Sequence, residues 1–236
     1  MRPLPFALAL TLLLVVGLRP LPVSRAAAQP AGCGSDRPDV ATLTDAKAGD
    51  VDLTQLIGVN ISTLAAIPPP DPLPDNARYD PYETTIYGFR ADLLKAHLQD
   101  DGEIVLVVQD PNTDDSMTVY FPDAATCATG AAPQLLDLMQ QARDAFVQAY
   151  GMPSSSGYTP LSGTATVIGV GFLDQTQGQE GEAPNGFELR PVLQFQTSNA
   201  AAPGSPLVRG SGEAALSPLP ITTSAPSTRR PAALQR

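Results

Sequence analysis

Tryptophan is absent from this chain, and histidine occurs once, at His97. The two cysteines, Cys33 and Cys127, are the only thiols that could join it at a zinc ion. A closed zinc site takes about four such ligands, so the sequence predicts no metal centre, and nothing in it calls for a cofactor. Basic residues are scarce. Residues 29–197 hold 7 lysines and arginines against 23 acids, a net charge of −16. A body that acidic repels phosphate backbones at long range, so a nucleic-acid partner is not expected. After the first few tens of residues no apolar run reaches the roughly 20 residues of a membrane span.

The N-terminus carries the clearest address. Arg2 is followed by an apolar run over Leu4–Leu18, and Ala26-Ala27-Ala28 offers a small-residue cleavage site. These are the three parts of a secretory signal peptide, assigned to residues 1–28. In an exported chain two cysteines point to a disulfide between Cys33 and Cys127. The alternative is a lipid anchor on Cys33, which Pro30-Ala31-Gly32-Cys33 partly suggests.

Composition divides the rest. Residues 29–80 are rich in Asp and Pro, and Ile67-Pro-Pro-Pro-Asp-Pro-Leu-Pro74 must be extended because proline fixes φ and lacks an amide donor. This stretch is read as an extended arm with at most one helical turn, near Ile61–Ala66. Residues 81–197 carry the patterned apolar positions. From Ser198 onward Ala, Pro, Ser, Thr and Gly dominate, and the sequence predicts a disordered tail over 198–236.

Within 81–197, Tyr87, Phe89, Ala91 and Leu93 alternate with polar residues and predict a strand, with a helix over Arg90–Leu98 as the competing reading. Asp101-Gly102 gives a turn, and Ile104–Val108 is a β-branched strand. Met117, Val119 and Phe121 mark a third strand. Pro133 opens a helix that Gly151 closes, with Leu135, Leu138, Met139, Ala142, Phe146 and Ala149 as its apolar stripe. Thr164–Leu173 is a fourth strand, bent at Gly169 and Gly171. In the fifth, Phe187, Leu189, Leu193 and Phe195 alternate with Glu188, Arg190, Gln194 and Gln196, and Pro191 demands an edge or a bulge. The order strand–strand–strand–helix–strand–strand predicts a mainly β protein: a small five-stranded OB-fold-like barrel with one helix between strands three and four. The alternative is a small α+β sandwich.

Several separated motifs occur in order: Cys33-Gly34, Ala41-Thr-Leu-Thr-Asp45, Gln109-Asp-Pro111, Phe121-Pro-Asp123 with Cys127, and a closing block. That block runs Gly169-Val-Gly-Phe-Leu-Asp174, Gly178-Gln179, then Ala183-Pro-Asn-Gly-Phe-Glu-Leu-Arg-Pro-Val192. From Cys33 to Phe195 this pattern resembles a family of uncharacterised secreted bacterial proteins. The resemblance supports the Cys33–Cys127 pair. Gln177 and Arg190 stand where that family tends to carry histidine. Glutamine transfers no proton near neutral pH and arginine stays protonated, so an acid–base role is weakened here.

Two classes of function fit the residues. One is a secreted, non-catalytic binding or structural domain, with Asp174, Gln179, Asn185, Glu188 and Arg190 of the closing block as candidate binding residues. Its partner would be an extracellular glycan, a peptide or a protein. An OB-fold offers the face of its second and third strands and the adjoining loops. The other class is a metal-assisted, nuclease-like hydrolase using Asp174, Glu180, Glu182 or Glu188. In the structural reading of the same loop, Asn185-Gly186 forms a tight turn and Gln179 binds backbone.

Overall fold

The computed structural model describes residues 33–197. The signal peptide (1–28) and the tail (198–236) assigned from sequence lie outside them. The described elements are α1 (Pro38–Ala41), β1 (Leu56–Gly58), α2 (Ile61–Ala65), β2 (Ile86–Leu98), β3 (Ile104–Gln109), β4 (Ser116–Phe121), α3 (Pro133–Tyr150), β5 (Thr159–Pro160), β6 (Thr164–Leu173) and β7 (Phe187–Thr197). Short 3₁₀ turns occur at Ala48–Asp50 and Tyr82–Thr84.

Strands β2, β3, β4, β7 and β6 pair in that order, and β6 returns to β2. The protein is thus mainly β, a closed five-stranded barrel with α3 between the third and fourth barrel strands, as an OB-fold has it. All these pairings are antiparallel except β4–β7, which meet in parallel at Val119 and Leu189. Closure leaves the five strands without a free edge. The period-two side chains point inward: Phe89, Leu106, Val119, Phe121, Val167, Leu189 and Phe195 share one buried cluster.

The competing helix over Arg90–Leu98 does not form. β2 runs through it for 13 residues, pairing β6 with its first half and β3 with its second. A register shift between Leu93 and Lys95 bends the strand where it changes partner. Helix-forming residues such as Leu94, Lys95 and Ala96 adopt strand geometry because the barrel supplies hydrogen-bond partners on both sides. Pro191 sits where the β6–β7 ladder is irregular, between Gly169↔Val192 and Gly171↔Leu189, so its missing amide breaks no regular ladder.

The arm holds more regular structure than its composition suggests. α2 stands at the expected helical turn, but α1 and β1 also form, and β1 adds to β2 in parallel. The arm wraps the outside of the barrel. Leu43 and Val51 pack with Ile86, Ile168, Val170 and Leu193 on outward strand positions and with Leu135 and Met139 of α3. Val40 and Ala41 cover Phe172. Cys33 and Cys127 form a disulfide with Cα atoms 5.4 Å apart, fastening the start of the described chain to the segment before α3. No helix among the described residues is long and apolar enough to cross a membrane.

Candidate functional site

The outer face of the second and third barrel strands, where an OB-fold would bind a polymer, is already occupied. Val105, Val107, Thr118 and Tyr120 point outward from β3 and β4, yet all four are buried. The β6–β7 loop lies against Val107, and Glu188 and Arg190 of β7 lie against Thr118 and Tyr120. Gly181, at φ +90°, presses against Val107 so closely that a Cβ there would collide with the valine methyls. Glu182 holds the loop's shape, its carboxylate accepting from the backbone amides of Gln177, Gly178 and Gln179 at 2.8–3.1 Å. Glu180 reaches β2 and pairs with Lys95 at 2.5 Å.

Beside this loop lies a buried ionic cluster. Glu188 and Arg190 alternate with Phe187 and Leu189, so they face away from the barrel core. The alternation alone would put them in water. Both are buried instead, Arg190 beneath Gly34 of the arm, and Arg190 is only 1% exposed and Glu188 5%. Arg190 Nη2 donates to Glu103 Oε2, and its Cζ stacks 4.2 Å from the centre of the Tyr120 ring. Its Nη1 lies 3.7 Å from Glu188 Oε2 and 3.9 Å from Asp174 Oδ2. Thr118 Oγ1 donates to Glu188 Oε1 at 3.1 Å. Gly34 seals the cluster: a Cβ at that position would strike both Glu103 and Arg190. Glu103 is the side chain that sequence reasoning missed, because a glutamate just after an Asp-Gly turn reads as solvated.

The charge states follow from geometry. Arg190 remains a cation, held by Glu103 in contact. Burial pushes the Glu188 carboxyl up to about 8, against the pull of Arg190, and the charge of Asp174 adds to the rise. Glu188 therefore carries a proton at neutral pH. A carboxyl raised in the folded state contributes stability that is complete below its unfolded value, about 4.5, and lost as pH climbs through about 8. Burial raises Asp174 and Glu103 in the same direction. Urea denaturation should therefore show stability falling by on the order of 2–4 kcal/mol between pH 4.5 and 8.5, since each tenfold gain in a carboxyl's proton affinity on folding is worth about 1.4 kcal/mol. Glu188→Gln should remove most of that slope. A flat profile in the parent would contradict the protonated assignment.

A second buried set ties the arm to the end of β6. Arg37 clasps Glu83 through both guanidinium nitrogens and donates to Leu173 O. Glu83 in turn accepts from the Leu173 and Tyr79 amides. Arg78 bridges Asp45, Val40 O and Glu83 O.

Asn185 proves to be a clamp. Its Nδ2 donates to Leu64 O and Ile67 O, both at 2.8 Å, and its Oδ1 accepts from Phe187 N at 3.0 Å. It closes the turn before β7 and anchors the proline stretch at once. Gln179 does not bind backbone through its side chain: it is exposed, and its Nε2 meets only Gln177 Oε1, at 3.4 Å. Asn185→Ala should cost about 1–3 kcal/mol because it orphans buried carbonyls. Gln179→Ala should change stability by less than about 0.5 kcal/mol, as surface changes do. Parallel urea denaturation checks both, and equal losses would refute the assignment.

What stays open is a cleft at the end of the barrel. Between the proline stretch and the strand ends lies a space of about 550 Å³, lined by Pro69–Leu73, Asp174–Thr176, Pro184 and Asn185. An adjoining hollow of about 270 Å³ is lined by Asp36, Arg37, Leu73–Asn76, Asp174 and Gln175. Asp174 borders both. The residue is nine-tenths buried, its Oδ1 accepts from Gln175 N at 2.9 Å, and its Oδ2 accepts no hydrogen bond from any described residue. Among the described residues Arg37 is the only cation lining either space, and Glu83 pairs with it. Among the described residues no three His, Cys, Asp or Glu side chains converge in the way a metal ion requires.

So the five candidate residues separate. Asp174, Glu188 and Arg190 meet in one cluster, of which only Asp174 reaches the cleft. Asn185 forms its wall, and Gln179 lies apart on the loop.

No family profile matches the chain, and no curated protein matches it in sequence. Among solved structures it is similar to a chain described as a putative aspartyl-tRNA synthetase from Leishmania major Friedlin, at 13% identity and a TM-score of 0.33. The alignment covers 63% of this chain and 21% of that one, so it spans about a fifth of the synthetase.

Proposed function

We propose that this protein is an exported, non-catalytic binding domain whose recognition site is the acidic, proline-walled cleft, and that its ligand is an extended peptide bearing basic side chains. One observation carries the reading: a nearly buried carboxyl, Asp174, borders an open cleft whose lining, among the described residues, holds no uncommitted cation, and the nearest cation to its Oδ2, Arg190 at 3.9 Å, is itself in contact with Glu103. Asp36, Asp71 and Asp75 on the rim add charge of the same sign. The prolines give a rigid, extended wall, which suits a ligand that is itself extended.

The signal-peptide pattern of residues 1–28 and the disulfide support export into an oxidising compartment. A sulfur bonded to Cys127 cannot also carry a thioether-linked lipid, which favours release over anchoring through Cys33. Three of the four carboxylates that a hydrolase would use are engaged otherwise, Glu182 on backbone amides, Glu180 on Lys95, and Glu188 in the buried cluster, which leaves Asp174 alone in the cleft.

Fluorescence anisotropy of the full chain with a labelled Pro-Arg peptide tests the reading. Binding should be seen at about 20 mM salt, weaken at least fivefold at about 500 mM, and be absent for the Glu-for-Arg peptide, since accessible charge pairs are screened. Asp174→Asn should weaken it about tenfold. Equal binding of both peptides, or none, would sink the reading.

A further inference from the structure

The described body, at −16, is followed by a segment of opposite sign. Beyond Thr197 the sequence carries Arg209, Arg229, Arg230 and Arg236 against a single acid, Glu213. Arg229-Arg230-Pro231 joins paired guanidinium groups to a proline, the chemistry for which the cleft is suited. We propose that this segment of the chain's own tail docks in the acidic cleft, so that a basic peptide from outside must displace it. The inference rests on the cleft reading above.

Charge complementarity is the first support. Asp174 and the rim aspartates meet no uncommitted cation among the described residues lining the cleft, and a guanidinium would supply both the charge and the paired donors that a carboxylate takes best. Reach is the second. Thr197 pairs with Ala165 at one end of the β6–β7 ladder, whereas Leu173 pairs with Phe187 at the cleft end. β7 has 11 residues, so the gap to be spanned is about 35 Å at 3.3 Å per residue. Arg229 lies 32 residues beyond Thr197. A flexible random coil of that length has a root-mean-square end-to-end distance of about 30 Å. Tethered binding is strongest when reach and span agree, and effective concentrations are then in the millimolar range. Even a weak contact would be substantially occupied.

The test uses the full chain with Arg229→Gln and Arg230→Gln together, which leaves the sequence of the described residues unchanged. The labelled Pro-Arg peptide should bind this variant about 2- to 10-fold more tightly than the parent, because the competing tail is disabled. In ¹H–¹⁵N spectra without peptide, the amides of Leu73, Asp174, Gln175 and Thr176 should move between parent and variant, while those of β3 and β4 stay fixed. Asp174→Asn in the parent should reproduce the movement. If the peptide binds parent and variant equally and the cleft amides do not move, the tail is not the occupant and the proposal is overturned, although the cleft would still be a peptide site. If no peptide binds, the cleft reading fails, and the spectra alone decide: unmoved cleft amides overturn the tail contact, and moved ones sustain it.

Discussion

Arg190→Ala is expected to lose about 3–5 kcal/mol of stability, the usual result of removing one partner from a buried ion pair. Glu103 is fully buried and Arg190 is its contact ion. Without the guanidinium its carboxylate has no compensating charge, and Asp174 loses the cation at 3.9 Å. The substitution also empties the space between Tyr120 and Phe172, whose rings lie 4.2 and 5.9 Å from Arg190 Cζ. Domains of this size hold about 5–15 kcal/mol in total, so the variant should be marginal at 37 °C. Removing both charges is a different matter. Arg190→Met with Glu103→Met should recover much of the loss, since well-packed apolar replacements of buried pairs are often neutral or better. Equilibrium urea denaturation at pH 7 measures all three. A single Arg190→Ala variant within about 1 kcal/mol of the parent would show that the cluster is hydrated.

Losing the disulfide should be comparably costly. Cys33 and Cys127 are 94 residues apart, and closing a loop that long restricts the unfolded chain by about 4–5 kcal/mol in the entropic account, with about 2–5 kcal/mol the usual measured range. The bond also has a local task. Cys33 precedes Gly34, which lies directly against Arg190 and Glu103. Freed of its anchor, the arm can lift and admit water to the cluster. Cys33→Ser with Cys127→Ser is therefore expected to lower stability by about 3–5 kcal/mol and to overlap with Arg190→Ala. The combined loss should fall short of the sum by at least about 1 kcal/mol, since both changes act on one network. Strict additivity would separate the bond from the cluster.

The barrel was legible because its strands obey a period of two. Phe89 and Ala91, Met117 and Val119, and Phe187 and Leu189 all point inward as their alternation requires. Pro133 and Gly151 marked α3 because a helix start tolerates a missing amide and its end tolerates a positive φ, +79° at Gly151. The second half of β2 was hidden, since Leu93–Leu98 is built from good helix formers and only distant partners make it a strand. The arm was hidden for the same reason. Its prolines describe an extended segment, but nothing local tells Val40 to cover Phe172 or Arg37 to clasp Glu83.

The site was read in part. Asp174 and Asn185 stood out as a carboxylate and an amide in a long loop, and both border the cleft. Glu188 and Arg190 take the outward face that their alternation implies, but an outward position on a barrel strand meets water only where no other segment lies over it. Here Gly34 does. The proline stretch that walls the cleft sits about a hundred residues before Asp174, too far for any pattern to join them.

Peptide titration followed by ¹H–¹⁵N spectra of the full chain tests the central claim most directly. The account predicts that a Pro-Arg peptide shifts the amides of Leu73, Asp174, Gln175 and Thr176, and leaves those of Val105, Val107, Thr118 and Tyr120 in place. Shifts centred on β3 and β4 instead would mean that the β6–β7 loop yields its position and the strand face is the binding surface, which would contradict the cleft as the recognition site.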